Sequence, residues 1–191
     1  MLQYMVWTCL HHYKTGFHRT ASWKVCCPSP TTSEADLIGY TVDDVTKDFT
    51  FKIAFDLIHC RQLLGSFSFE EWDKLYKRAY DNLEPGGWFE QLEDSIRVQC
   101  DDGSAPSDAP ILGFQDLIAP IAEVSGNPTN VFDEMRGRIE KAGFINVQEK
   151  TMKLPLGDWP KHPVYKDAGT CNKIHFLAGM EGWVMVSSLF L

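Results

Sequence analysis

The 191-residue sequence lacks several features that would place it in a special class of protein. No run reaches the roughly 20 apolar residues needed to cross a bilayer, and the most apolar stretch, 174–191, is interrupted by Glu181. None of the six cysteines forms a Cys-x-x-Cys pair, so neither a zinc pattern nor a disulfide framework is indicated. Positive charge is in deficit, and the net charge of −8 argues against nucleic acid or an anionic membrane as the partner. We therefore expect a cytoplasmic globular protein with reduced thiols and no metal site.

Acidic residues are missing from residues 1–33, where Lys14, Arg19 and Lys24 provide the only formal charge. The rest of the chain holds all 26 acids, and the Cys-Cys-Pro-Ser-Pro break at 26–30 marks the change in composition. An organellar presequence has a similar composition, but this segment shows no clear apolar face, and it lacks the apolar run of a secretory signal. We expect residues 1–35 to form an atypical, basic, poorly ordered leader, and residues 36–191 to form the domain.

Two short runs in the first part of this domain predict strands. Residues 38–42 are β-prone and end at Asp43 and Asp44. Residues 54–60 are apolar on both faces, which is typical of a buried strand in a parallel sheet.

A capped helix and a second strand follow. Ser68, with Glu71 three residues later, predicts a capping box. Apolar residues then recur at helical spacing as far as Leu83, and Pro-Gly-Gly at 85–87 stops the helix and turns the chain. Residues 88–98 are predicted to form a long strand. Strand, helix and strand make a βαβ unit, which implies a parallel sheet.

The second part of the chain continues the alternation. Helices are predicted at 111–124 and at 131–142, with Gly143 as a left-handed cap, and a strand at 144–154. A proline-rich connection leads to the apolar tail, which resembles half of a buried helix. The predicted fold class is α/β.

Two blocks of sequence carry a resemblance to a known family. Phe-Asp-Leu-Ile-His-Cys-Arg at 55–61 and Leu-Glu-Pro-Gly-Gly-Trp-Phe-Glu-Gln-Leu-Glu at 83–93 resemble the fourth strand, and the turn into the fifth strand, of class I S-adenosylmethionine-dependent methyltransferases. The helix between them, with Trp72, Leu75, Ala79 and Tyr80, makes the sequence most similar to fungal LaeA-like methyltransferases. The segment 147–160 also resembles that family.

The resemblance, which covers about residues 40–182, implies a fold, a cofactor and a biological setting. The fold would be an incomplete Rossmann-like parallel sheet flanked by helices, and the cofactor S-adenosylmethionine. The setting would be the biosynthesis of fungal secondary metabolites, including indole-derived quinones of the terrequinone type.

The sequence departs from this family in two respects. The family holds its cofactor with a Gly-x-Gly turn after the first strand, whereas no two of the 14 glycines here are separated by a single residue. The family orders its strands 3-2-1-4-5-7-6, and this chain offers candidates only for strands 3, 4, 5 and 6. We therefore expect the fourth and fifth strands to pair, with gaps on both sides. Open sheet edges favour pairing with a second copy of the chain or with another protein.

The resemblance also implies which residues would lie near the cofactor. Asp43 or Asp44 would lie near the adenine amino group. His59, Cys60 and Arg61, at the carboxyl end of the fourth strand, would lie near the methionine portion and the methyl acceptor. No catalytic residue is indicated.

Each of these residues also has a purely structural interpretation, as do two glutamates of the fifth strand. The two aspartates would then simply end a strand, and Arg61 would form an ion pair at the start of the helix. Glu90 and Glu93 either face the acceptor or belong to a solvated face.

Two functions are consistent with these observations. The first is a methyltransferase-like accessory, a pseudoenzyme with a lost or degraded cofactor site, that binds a small metabolite or a pathway protein. The alternative is an active methyltransferase for a small metabolite, completed by dimerisation or by a longer true gene product. The chemistry of methyl transfer does not decide between the two functions, because the cofactor supplies an activated methyl group and the protein mainly positions it.

Overall fold

Strands and helices alternate along the part of the chain that the computed structural model describes, which is residues 2–11, 44–49, 51 and 53–188. The expected strand at 38–42 lies outside these residues, as does Asp43. A short 3₁₀ helix, Pro110–Gly113, precedes the second α-helix. The elements in chain order are β1 (Leu2–His11), β2 (Phe55–Arg61), α1 (Phe69–Asp81), β3 (Leu83–Gln99), α2 (Phe114–Ser125), α3 (Val131–Lys141), β4 (Val147–Pro155) and α4 (Pro163–Ser188).

The four described strands form one sheet in the order β2-β3-β1-β4. β2 and β3 are parallel, and β1 is antiparallel to both of its neighbours, β3 and β4. Three strands therefore run in one direction, and β1 alone runs in the other. This confirms the predicted α/β fold, an incomplete Rossmann-like sheet flanked by helices.

β1 corrects two expectations about the start of the chain. Residues 2–11, expected to lie in a poorly ordered leader, form a strand with a neighbour on each side. Their sequence is rich in residues that favour strands, among them Tyr4, Val6, Trp7 and Thr8. The gap expected beside the fifth strand is therefore filled, because β1 pairs with β3. Residues 12–35 lie outside the described residues, so the boundary near residue 35 stays a prediction.

The predicted capping box at the start of α1 is confirmed. The Ser68 hydroxyl accepts the Glu71 backbone N–H at 3.3 Å, and the Glu71 carboxylate accepts the Ser68 N–H at 2.8 Å. α1 ends at Asp81, two residues before the expected Leu83, because Leu83 already belongs to β3. Its buried face consists of Trp72, Leu75, Tyr76 and Ala79.

The Pro-Gly-Gly segment lies within the beginning of β3. Gly86 has a φ of +87°, a conformation that glycine adopts at little cost. A Cβ atom on Gly87 would lie 2.9 Å from the Glu84 carbonyl oxygen, so the close packing there requires glycine. These two glycines bring β3 alongside the start of β2, where Phe55 pairs with Leu83.

Two clusters of buried side chains join the helices to the sheet. The larger one joins α1 and α3 to β2 and β3, and its fully buried members include Trp72, Tyr76, Phe89, Met135 and Ile139. The smaller one joins α2 and α4 to the end of β3 through Val98, Phe114 and Phe176. The predicted left-handed cap of α3 is confirmed, since Gly143 has a φ of +111°. None of the helices, over the residues described, is long and apolar enough to cross a membrane.

Candidate functional site at the carboxyl end of strand β2

His59 and Glu90 form a polar pair near the carboxyl end of β2. They are register partners on β2 and β3, and His59 Nδ1 lies 2.7 Å from Glu90 Oε2. Both side chains are partly exposed, 39% for His59 and 25% for Glu90. A carboxylate on one ring nitrogen orients the imidazole and leaves Nε2 to face a ligand. In open α/β sheets, ligands bind outside the carboxyl ends of the strands, which is where this pair lies.

Arg61 extends this polar surface. It is exposed and lies two residues beyond His59, so both side chains project from the same face of β2. Within the described part of the chain Arg61 forms no ion pair, and both interpretations of this residue stay predictions. An imidazole and a guanidinium side by side suit a small anion or an acidic hydroxyl group.

Cys60, between these two residues, lies on the opposite face of the strand. It packs against the larger core cluster, and burial together with the nearby Glu93 carboxylate raises the pKa of the Cys60 thiol to about 12. The thiol therefore stays protonated at neutral pH and is a poor nucleophile.

Asp44 is engaged in its own turn. One of its carboxylate oxygens accepts the Thr46 backbone N–H at 3.0 Å and the Thr46 hydroxyl at 2.6 Å, and Lys47 Nζ lies 3.3 Å from the other. The hydrogen bonds from Thr46, with a further contribution from Lys47, lower the pKa of this carboxyl. This geometry is what the structural interpretation of Asp44 predicts. A contact with adenine stays a prediction.

Glu90 and Glu93 differ in the face that they occupy. Glu90 pairs with His59, as described. Glu93 is 0% exposed, so it belongs neither to a solvated face nor to the face that carries Glu90. Its Oε2 atom accepts the backbone N–H groups of Leu63 and Leu64, each at 3.0 Å.

Two further polar residues beside Glu93 were not anticipated from the sequence. Gln91 Nε2 donates to Glu93 Oε1 at 3.1 Å, and the Tyr76 hydroxyl donates to Gln91 Oε1 at 3.0 Å. Both are completely buried. The alternation along β3 places Gln91 and Glu93 on the same face as the core residue Phe89, but the sequence does not show whether Phe89 or the adjacent Trp88 faces the core.

The described strands include the equivalents of the family's fourth and fifth strands, β2 and β3, and their polar groups. In the family's order, the strand that carries the glycine turn neighbours the equivalent of β2. Among the strands described, β2 has a neighbour only on its β3 side. His59 and Arg61 are exposed there and could contact a ligand. No group of three or more metal-ligating side chains occurs among the described residues.

The fold and the site together define a class of protein. A parallel βαβ unit with a Pro-Gly-Gly start to its second strand, and polar groups at the carboxyl end of the first, is the arrangement expected of a Rossmann-like methyltransferase sheet.

Comparison with known proteins supports this assignment. Methyltransferase pytC of Aspergillus terreus (strain NIH 2624) is 33% identical over 154 residues, which are 80% of this chain and 46% of pytC. The secondary metabolism regulator LAE1 of Cochliobolus heterostrophus is 33% identical over 129 residues, or 67% of this chain and 41% of that protein. The protein named probable methyltransferase tdiE of Emericella nidulans is 28% identical over 158 residues, or 81% and 48%.

These relatives are fungal methyltransferases and a secondary metabolism regulator of the LaeA type, which supports assignment of the chain to a LaeA-like class I methyltransferase family. It spans about half the length of the curated relatives it matches. No family model matches the chain, and no solved structure does.

Proposed function

We propose that the chain acts in fungal secondary metabolism as a methyltransferase-like accessory, which recognises a small metabolite or a pathway protein without itself holding S-adenosylmethionine. The observation that carries the proposal is the absence of any Gly-x-Gly among the 14 glycines. Glycine in that turn lets the backbone approach the ligand closely, and a Cβ atom there would fill the space. The relatives support the setting, since they carry the names of methyltransferases and of a secondary metabolism regulator.

The metabolite that the site suits is a small molecule with an acidic hydroxyl group. Arg61 would pair with the ionised oxygen, and His59, held by Glu90, would accept or donate the neighbouring hydrogen bond. A hydroxyquinone has this chemistry, which is compatible with the indole-derived quinones that the sequence resemblance suggests.

Calorimetric titration of the purified 191-residue chain with S-adenosylmethionine and S-adenosylhomocysteine tests the proposal directly. We expect no binding heat from a sample that unfolds cooperatively on heating. One-site binding with a micromolar Kd would overturn the accessory role. A chain that does not fold alone would indicate an obligate partner or an incomplete gene product.

The His59–Glu90 pair favours the alternative function, an active methyltransferase whose cofactor site is completed by a second copy or by a longer gene product. A histidine oriented by a carboxylate can remove the proton from an acceptor hydroxyl during methyl transfer. Light scattering, which reports the oligomeric state, separates the two functions during a titration with S-adenosylmethionine. The alternative with a second copy requires that only the dimer binds the cofactor. Sequencing the transcript tests for a longer product.

A further inference from the structure

A chain of three buried polar side chains lies beneath the loop that connects β2 to α1. Tyr76 belongs to α1, Gln91 and Glu93 belong to β3, and all three are 0% exposed. The Tyr76 hydroxyl donates to Gln91 Oε1 and Gln91 Nε2 donates to Glu93 Oε1. Buried polar chains of this kind are costly unless each member is satisfied, so their presence calls for a reason.

The last member of this chain holds the loop. Glu93 Oε2 accepts the N–H groups of both Leu63 and Leu64, two consecutive amides that no strand or helix of the described structure satisfies. The backbone leaves the sheet just before them, at Gln62, whose φ of +53° is unusual for a residue other than glycine. The Glu93 carboxylate therefore anchors the loop immediately after Arg61, at the edge that carries the candidate site.

Among the residues that the structure describes, none forms an ion pair with this carboxylate. The ionisable groups that act on it are Cys60 from β2, Tyr76 from α1 and Asp94 from its own strand, and none of these is basic. Arg138 of α3 acts on Tyr76, but its guanidinium is paired with Asp73 and Glu134. Burial therefore outweighs the three N–H donors and raises the pKa of Glu93 to about 7. Both forms of the carboxyl group are populated near neutral pH.

The hydrogen-bond chain can accommodate both forms. When Glu93 is charged, donation runs from Tyr76 to Gln91 to Glu93, as observed. When a proton from solvent is added to Glu93 Oε1, a half-turn of the Gln91 amide lets that O–H donate to the amide oxygen. The amide N–H then donates to the Tyr76 hydroxyl oxygen, and the Tyr76 O–H no longer donates to Gln91. The bonds to Leu63 and Leu64 persist in this form but lose their charge-assisted character, and such bonds are weaker.

We propose that Glu93 is a positioning residue whose carboxylate anchors the loop between β2 and α1, and whose protonation loosens that loop beside His59 and Arg61. This inference holds whether or not the chain binds S-adenosylmethionine, since it concerns the backbone and not the ligand. It would make ligand access at the carboxyl end of β2 depend on pH.

Hydrogen exchange of individual amides, measured by NMR between pH 5.5 and 8.5 and corrected for the intrinsic exchange rate, tests this role. We expect the Leu63 and Leu64 amides to be about tenfold better protected above pH 7.5 than below pH 6, the ratio that corresponds to replacing charge-assisted by neutral hydrogen bonds. In Glu93→Gln the protection is expected to be independent of pH. Glu84→Gln, an exposed position on the same strand, is the matched control and should keep the wild-type profile.

A second variant keeps the test decisive if Glu93→Gln does not fold. Gln91→Met removes the donor that favours the charged form of Glu93, so the midpoint of the exchange profile is expected to move to higher pH. Flat protection of both amides in the wild-type chain would overturn the proposal. So would a pH dependence that survives in Glu93→Gln, or a midpoint that Gln91→Met leaves in place.

Discussion

Glu90 and Glu93 lie three residues apart on β3, and their chemistry is set by the face of the strand that each occupies. Glu90 reaches the partly exposed His59, whereas Glu93 satisfies two backbone amides inside the molecule. The sequence alone could not decide between the faces, because the adjacent aromatic residues Trp88 and Phe89 leave the parity ambiguous. Only the packing of Phe89 against Tyr76 of α1 shows which face is buried.

The titration of Glu93 predicts an unusual dependence of stability on pH. The pKa of Glu93 is raised from its ordinary value of 4.5 to about 7 in the folded chain. Between these values the folded state binds more protons than the unfolded state, so the contribution of Glu93 to the free energy of unfolding falls as the pH rises. That contribution amounts to about 3 kcal/mol across the window. Urea denaturation gives the difference in unfolding free energy between wild type and Glu93→Gln. We expect this difference to change by about 3 kcal/mol between pH 5 and pH 8.

Glu84→Gln serves as the control for this experiment as well, because its exposed side chain should leave the pH dependence as it is in the wild type. If wild type and Glu93→Gln responded to pH in parallel, Glu93 would not titrate as its burial requires.

Arg61 is predicted to supply the charge that holds an acidic metabolite. 2,5-Dihydroxy-1,4-benzoquinone, which is ionised at neutral pH, is a suitable probe, and calorimetry gives its Kd. Removing one charge-assisted pair should weaken binding by about tenfold or more in Arg61→Ala. Arg136→Ala removes another partly exposed guanidinium, which pairs with Glu140 on α3, and should leave the Kd unchanged. An equal loss in both variants, or no binding by the wild type, would contradict this assignment of the site.

At the scale of elements, the predictions that succeeded rest on local chemistry. The capping box at Ser68 and the glycine cap at Gly143 need only a few neighbouring residues, and both are present. α4 begins at Pro163, well before the expected apolar tail, because proline suits the first turn of a helix, where its missing N–H needs no partner. The proline-rich segment, expected to be a connection, therefore contains the start of a helix. β3 likewise begins at Leu83, because the two glycines let the strand pass close to β2.

α4 is packed backbone to backbone against the segment that follows β4, and this contact predicts a large effect of one methyl group. A Cβ atom on Gly169 would overlap the Gly157 carbonyl oxygen and lie 2.9 Å from Pro155 Cβ. Gly169→Ala therefore has to push α4 away and weaken the hydrogen bond from Gly157 N–H to the Gly169 carbonyl. We expect a loss of about 2–3 kcal/mol in the free energy of unfolding, which is the upper part of the range for overpacked sites.

The control for this prediction is another helical glycine with open space around it. A Cβ on Gly137 in α3 would meet no atom within 4 Å. Gly137→Ala should therefore stabilise the chain by about 0.5–1 kcal/mol, because alanine loses less conformational entropy in a helix. Chemical denaturation of both variants gives the comparison. If both substitutions shifted stability in the same direction, the close contact between α4 and residue 157 would be refuted.

At the scale of the whole molecule, β1 connects two parts that would otherwise not share a sheet. β3 and β4 do not pair with each other, and each pairs with β1. In the family's strand order, the position between the fifth and sixth strands belongs to the seventh, and here a strand from the beginning of the chain occupies it. Local sequence patterns could not predict this, because pairing between segments about 80 and 140 residues apart depends on which sheet edge is free and not on neighbours in the chain.

The register of β1 can be tested by a cross-link to its neighbour β4. Cys9 is the register partner of Gln148 in β4, and Thr8 is the partner of Glu149. Directly opposed residues of antiparallel strands have Cα atoms about 4.5–5.5 Å apart, which a disulfide can span. In a background with the other cysteines replaced by serine, Gln148→Cys should form a disulfide with Cys9 on mild oxidation, whereas Glu149→Cys should not. A slip of one residue would reverse this pattern, because it exchanges the faces of the strand.

The cross-link also measures how far the fold depends on β1. A disulfide between positions 9 and 148 closes a loop of about 140 residues, and the loss of freedom in the unfolded chain should stabilise the protein by about 4–5 kcal/mol when the native geometry is undistorted. Oxidised and reduced Gln148→Cys, compared by urea denaturation, give this difference within one molecule. Stabilisation of that size requires β1 to lie beside β4 in the native state. A bond that forms without stabilising the chain would mean that β1 reaches β4 only transiently, and the position of the seventh strand would then be open to a segment of another chain.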